Sequence, residues 1–228
     1  MKGSTIHLVA LADIHGITIH LPTIEGSLRQ ADAVVIAGDV TNFGGGEAAA
    51  PIIEAIEAIN PHIAAVYGNC DRPEVQAYLA DHGLSVHSQI KQICGLTYIG
   101  IGGSLVCSGR TPSEVDDAVL AAGLDLSGQD LQWPRDAGPQ PVVLVTHQPA
   151  YGTRLDEVGG SSHTGSRAIR AFIERFRPIL AVSGHLHEAI GVDTIGPTTL
   201  VNPGPFKLGR YALIEVYNGK VQVELIAV

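Results

Sequence analysis

Long apolar runs, basic stretches and paired cysteines are all missing from this chain, and each absence closes off a class of protein. No segment approaches the roughly 18 consecutive apolar residues needed to cross a bilayer as a helix, so no membrane is expected as a partner. Lys and Arg number 14 against 23 Asp and Glu, a formal net charge of −9. They form no stripe that could release counterions from a nucleic-acid backbone, and duplex nucleic acid is not an expected partner. Aromatic residues are only 5% of the chain and are not interleaved with Lys or Arg, so the stacking track of a single-strand binder or nuclease is lacking as well. The three cysteines, Cys70, Cys94 and Cys107, are an odd set whose spacings match neither a disulfide framework nor a paired zinc knuckle. Reduced thiols are expected. Gly44-Gly45-Gly46 lacks the Lys-Ser/Thr ending of a P-loop and reads as a flexible loop at a site rim. There is no internal repeat and no low-complexity segment.

What is present describes an enzyme-like domain. The 228 residues suffice for one substantial core, nothing in the middle resembles a linker, and a single domain over 1–228 is expected. A hydrophobic content of 45% with 27 glycines and 13 prolines fits a compact fold with many tight turns. The apolar stretch 6–12 is too short for a signal-peptide core, which makes a cytoplasmic protein the expectation. Negative net charge does not exclude an anionic substrate, because bound divalent cations reverse the sign locally.

Apolar runs at 6–12, 33–37 and 63–67 read as buried strands, separated by helical spacing at 47–59 and followed by a helix at 73–79 with Asp71 as its N-cap candidate. A strand at 97–101 follows, then a helix start at Thr111-Pro112-Ser113-Glu114 leading into 115–122. Residues 123–140, with the sole tryptophan Trp133, read as a surface excursion. The second half offers a strand at 142–145, a loop over 148–162, a helix at 166–175 and a strand at 179–182. Beyond position 189 only strand-like pieces occur, at 190–194, 198–201, 211–217 and 221–227, with Asn218-Gly219 as a hairpin turn.

Five polar clusters each stand immediately after an apolar run: Asp13-Ile14-His15, Gly38-Asp39, Gly68-Asn69-Cys70-Asp71, Thr146-His147 and Gly184-His185-Leu186-His187. Side chains at the carboxyl ends of strands in such sheets project into a common crevice. Carboxylate, imidazole and amide oxygen together suit Mn, Fe, Zn or similar divalent ions, and seven such donors serve two ions if one Asp is shared. Taken singly, each is ordinary turn chemistry; seven at strand ends is not.

The five blocks, in this order, resemble the calcineurin-like metallophosphoesterase superfamily from Asp13 to Asn202-Pro203-Gly204, and the Gly-Asn-Cys-Asp form is most similar to its small prokaryotic branch. The resemblance implies an α/β fold of the metallo-dependent phosphatase-like kind, a four-layer αββα sandwich with two mixed β-sheets. It also implies one metal held by Asp13, His15 and His187, a second by Asn69, His147 and His185, and Asp39 bridging both, with Asp39, Asn69 and His147 as the catalytic set. The cofactors would be two divalent metal ions, Mn first, with Fe, Zn, Ni or Mg as alternatives. They would stand roughly 3.5–4 Å apart and turn a bridging water into the attacking hydroxide.

Many superfamily members carry His after the block's Asn, where Cys70 stands here. A thiol is a weak donor, so a phosphodiesterase acting on a small, nucleotide-like phosphate ester is expected. The alternatives are a phosphomonoesterase or protein phosphatase, and a non-catalytic scaffold on the same fold. Assembly as a homo-oligomer is left open by the sequence. Cys70 and His163 are substrate-lining candidates, His163 because it precedes a helix start that could present N–H groups to a phosphate. Arg167 and Arg170 read as a solvated helix face, and His7, His20, His62, His82 and His87 as structural or surface residues.

Overall fold

Strands of this chain that alternate small and branched residues bury both faces, and that pattern dictates the layering. The computed structural model describes residues 5–107, 109–125 and 140–228. In chain order the strands and helices are β1 (Ile6–Leu11), α1 (Leu21–Gln30), β2 (Ala33–Ala37), α2 (Gly46–Glu57), β3 (Ile63–Val66), α3 (Pro73–Asp81), β4 (Ile90–Ile93) and β5 (Leu96–Ile101). There follow β6 (Ser104–Leu105), β7 (Glu114–Val115), α4 (Asp117–Gly123), β8 (Gln140–Thr146), β9 (Glu157–Val158), β10 (Ser162–His163), α5 (Arg167–Phe176) and β11 (Pro178–Val182). The chain finishes with β12 (Gly191–Ile195), β13 (Thr198–Asn202), β14 (Arg210–Tyr217) and β15 (Lys220–Ala227).

Two sheets carry the architecture, one ordered β15-β14-β1-β2-β3 and the other β12-β13-β11-β8-β5-β4. Both are mixed: β1, β2 and β3 run parallel, as do β5, β8, β11 and β13, while the flanking pairs are antiparallel. Alternate residues of each central strand divide between two cores, as the period of two requires. In β1 and β2, Leu8, Ala10, Ala33, Val35 and Ala37 meet Tyr98, Val143, Val145, Leu180 and Val182 of the second sheet. The many alanines on this face let the sheets approach closely. The opposite residues, Val9, Leu11, Val34 and Ile36, pack under α1, α2 and α3 through Ile24, Leu28, Ile53, Ile56, Val75 and Leu79. On the far side Ile99, Ile101 and Leu144 pack under α4 and α5 through Leu120, Ile169, Phe172 and Ile173. The result is a four-layer αββα sandwich. None of the described helices is long and apolar enough to cross a membrane.

Several local expectations change. Helix α1 was not expected: its N-cap position, His20, makes no side-chain cap, Pro22 in its first turn and Arg29 in its last were its only local signals, and burial of Leu21, Ile24 and Leu28 holds it. The expected helix over 115–122 starts later, because Glu114–Val115 pairs with Ser104–Leu105 and Ser113 is tied to Asn69 and Asp71. The triple glycine is not a flexible rim loop but a helix start, with Gly45 at the N-cap and Gly46 opening α2. Within the 123–140 excursion, residues 126–139, including Trp133, lie outside the described set.

Candidate metal centre

Each of the five polar clusters emerges from a parallel strand, and at three of them the chain turns at a conformational cost. Asp13, His15, Asp39 and His185 all have positive φ, between 48° and 70°, a region that costs a non-glycine residue about 1–2 kcal/mol. Backbone bonds lock the turns: Asp13 N–H donates to Gly38 O (3.1 Å) and His15 N–H to Asp39 O (2.8 Å). Glycine provides the clearance. A Cβ on Gly68 would lie 2.0 Å from Asp39 Oδ1, and one on Gly38 2.5 Å from the His147 ring.

The structure brings all seven sequence-predicted residues together. His187 Nε2 is 3.3 Å from Asp13 Oδ1 and 3.3 Å from His15 Nε2. His147 Nε2 and His185 Nδ1 each stand 2.8 Å from Asn69 Oδ1. Asp39 lies between the two groups, with Oδ2 3.6 Å from His15 Nε2 and Oδ1 3.4 Å from His147 Nε2. Three overlapping groups, Asp13–His15–His187, His15–Asp39–Cys70 and Asp13–Asp39–His147, have their ligand atoms within 4.8 Å of one another.

This donor set fits cations. Asp13 and Asp39 are buried and their ion-pair partners among the described residues are imidazoles alone. His147 Nδ1–H donates to Ala37 O at 2.8 Å, which leaves Nε2 of the neutral ring as a lone pair facing the oxygens of Asn69 and Asp39. Lone pairs converging in a buried space are stabilised by a proton or a metal ion between them. With protons alone, burial opposes charge on His147, yet the Asp39 carboxylate beside it pushes it up to about 9. Burial and the neighbouring His147 push His185 down to about 4. Burial likewise opposes ionisation of Asp39, but His147 and then His15 hold its carboxyl far below the usual range.

Asp71 is not the N-cap of α3; Arg72 holds that position. The buried Asp71 carboxylate instead accepts the N–H groups of Val40 (3.0 Å), Thr41 (2.7 Å) and Gly68 (2.8 Å), clasping the loop after β2 to the loop after β3. Burial, then the charge of Asp39, pushes it up to about 6. Its role was hidden because its partners are 30 or more residues away for Val40 and Thr41. Cys70 sits inside the cluster, its N–H donating to Asp39 Oδ1 at 2.8 Å, with burial and then Asp39 pushing its thiol up.

His163 stands apart from the seven, and its ring contacts are Asp156 and Tyr151. The start of α5 is not a phosphate cradle: Ser166 Oγ caps Ile169 N–H and the Asp117 carboxylate takes Ala168 N–H. Arg167 stacks over Tyr151 at 3.7 Å and Arg170 pairs with Glu174 and the Tyr151 carbonyl, so neither is merely solvated. Of the remaining histidines, His87 accepts Gly102 N–H and His62 and His82 donate to backbone carbonyls. His7 faces Glu215 and His20 packs on Phe206. All three cysteines are free thiols.

A four-layer sandwich with a carboxylate, imidazole and amide cluster at the strand ends of both sheets defines the class of metal-dependent phosphoester hydrolases. The family model described as calcineurin-like phosphoesterase matches residues 6–189, and the chain belongs to that family. It is 32% identical over 205 residues to the uncharacterized protein MJ1162 of Methanocaldococcus jannaschii, covering 87% of this chain and 88% of that one. Its fold is similar to that of TT1561 of Thermus thermophilus (TM-score 0.72, 17% identity, 97% and 99% of the two chains covered). It is also similar to a predicted phosphoesterase from Streptococcus pneumoniae (TM-score 0.50, 13% identity, 99% and 91% covered).

Proposed function

We propose that this metal-dependent phosphoesterase uses a dinuclear centre and acts on phosphodiesters of small, nucleotide-like molecules. The observation that carries the reading is the placement of Asp39, whose two oxygens face opposite histidines, His15 and His147, at 3.6 and 3.4 Å. A carboxylate so placed would be shared by two ions, one held by Asp13, His15 and His187, the other by Asn69, His147 and His185. Ions held there supply Lewis acidity to the phosphoryl oxygens and an acidified water for in-line attack. The chain's own part is orientation. The Ala37 carbonyl fixes the His147 tautomer, and Asn69 Nδ2, which donates toward Cys70 Sγ at 3.5 Å, turns its Oδ1 to the imidazoles.

The preference for diesters follows from Cys70. Its buried, un-ionised thiol offers a weak proton donor where leaving-group help is worth about 10²–10⁴-fold. The test is a panel of chromogenic diesters and monoesters, after stripping metals and restoring Mn, Ni, Zn, Mg and Fe singly. Mn-dependent diester turnover above monoester turnover is expected, and Cys70→His is expected to raise the monoester rate. Turnover that survives complete metal removal overturns the reading, and an unchanged substrate ratio in Cys70→His overturns the role of Cys70.

A further inference from the structure

A lysine stands at the edge of the seven-residue cluster. After Asn202-Pro203-Gly204-Pro205 the chain makes a short 3-10 turn at Phe206–Leu208, and this segment is fastened to both loops that supply Asp13, His15 and His187. On one side Pro205 bridges Ala12, Phe206 N–H donates to Ala12 O at 2.8 Å, and Lys207 N–H donates to Asp13 O at 3.2 Å. On the other, Asn202 Nδ2 donates at 2.9 Å to Leu186 O, the carbonyl between His185 and His187, and Asn202 Oδ1 takes Gly204 N–H at 2.9 Å. Phe206 anchors the turn in the core, and Lys207 beside it is half-buried.

The side chain reaches the cluster as well as the backbone does. Burial lowers the pKa of His15, Asp39 opposes this, and the charge of Lys207 lowers it further, which places the ammonium within electrostatic range of the ring. Among the described residues no carboxylate pairs with Lys207, whereas Arg29, Arg154 and Arg170 are paired with Glu25, Asp193 and Glu174. An unpaired ammonium on a flexible stem meets an anion as a point charge. Counting charges decides which anion that is. In the reading above, two divalent ions, the carboxylates of Asp13 and Asp39, an attacking hydroxide and the one charge of a diester cancel. The charge of Lys207 is left over, and a second anionic group on the substrate matches it.

We infer that Lys207 binds a second anionic group of the substrate, which narrows the substrate class to phosphodiesters that carry a further phosphate; this rests on the phosphoesterase reading above. The reacting phosphoryl group then lies over the seven-residue cluster, and the further phosphate extends toward the turn at Phe206–Leu208, on the side of Asp13 and His15. Lys207 selects the substrate and takes no part in making or breaking a bond.

The test uses the p-nitrophenyl ester of thymidine monophosphate, with and without a second phosphate on the sugar, on Mn-loaded wild type, Lys207→Ala and Lys207→Arg. Wild type is expected to prefer the doubly phosphorylated ester, chiefly through KM, and Lys207→Ala to lose about 10- to 100-fold of that preference. Lys207→Arg retains the charge and is expected to retain the preference. Calorimetric titration of the same proteins with thymidine bisphosphate and thymidine monophosphate should show the same narrowing in affinity, with unchanged Mn content. No preference in wild type, or equal losses on the two esters in Lys207→Ala, overturns the inference while the metal-dependent reading stands. Failure of wild type on every chromogenic ester with metal restored overturns both.

Discussion

The two sheets bring unlike chemistry to one pocket. From the five-stranded sheet come both carboxylates, the amide and one imidazole, Asp13, Asp39, Asn69 and His15; the six-stranded sheet supplies imidazoles alone, His147, His185 and His187. Three of the four left-handed residues, Asp13, His15 and Asp39, belong to the first set. The two carboxylates are also tightly enclosed, 1% and 3% exposed for Asp13 and Asp39, whereas the imidazoles of the six-stranded sheet run from 0% for His147 to 35% for His187. The five-stranded sheet thus fixes the negative charge in strained, rigid turns, and the six-stranded sheet closes neutral donors over it. The link between them is direct: His185 N–H donates to both oxygens of Asp13 at 3.2 Å.

The division predicts unequal losses. Asp13→Ala is expected to lower diester kcat/KM toward the upper end of the roughly 10²–10³-fold range typical of a preorganised electrostatic group, and His187→Ala toward its lower end. Steady-state kinetics at saturating Mn decides it, and equal losses break the comparison. Smaller effects are expected from the glycines that give each sheet its clearance. Gly68→Ala forces a Cβ within 2.0 Å of Asp39 Oδ1 and 2.3 Å of Asp39 N, against 2.8 Å from Asp13 Oδ2 for Gly184→Ala. Denaturant unfolding is expected to show a loss of about 1–3 kcal/mol, larger for Gly68→Ala.

The smallest effect lies in the six-stranded half. Burial opposes ionisation of Asp156, but the N–H groups of Thr153, Gly165 and Gly152 and the His163 ring hold its carboxyl below the ordinary 3.8. A depressed carboxyl contributes stability that is present above its unfolded value and is lost as pH falls through the folded value. The thermal midpoint of wild type should therefore exceed that of Asp156→Asn at neutral pH. The gap should narrow only on acidification below 3.8. A constant gap places the contribution elsewhere.

The layers and the seven-residue cluster were legible because both rest on local patterns. Parallel strands buried on both faces, such as 33–37, are continuous apolar runs, and each ligand block follows one immediately. What stayed hidden depends on distant partners. Helix α1 lacks a side-chain cap and is held by burial of Leu21, Ile24 and Leu28, so Pro22 alone marked its start. Asp71 was read as a cap because the residue before Arg72-Pro73 looks like one, whereas Val40 and Thr41 claim its carboxylate. Asp156 passed unnoticed although Thr153 and Asp156 form a capping box, a three-residue spacing visible in the chain itself.

The central claim, that one carboxylate is shared between two ions, meets its most direct test in Mn stoichiometry read together with electron paramagnetic resonance. Mn-reconstituted wild type should hold two ions per chain and show the multiline spectrum of an exchange-coupled pair, and Asp39→Asn should lose that coupling. A single ion per chain in wild type, or two ions with no coupling between them, contradicts the account.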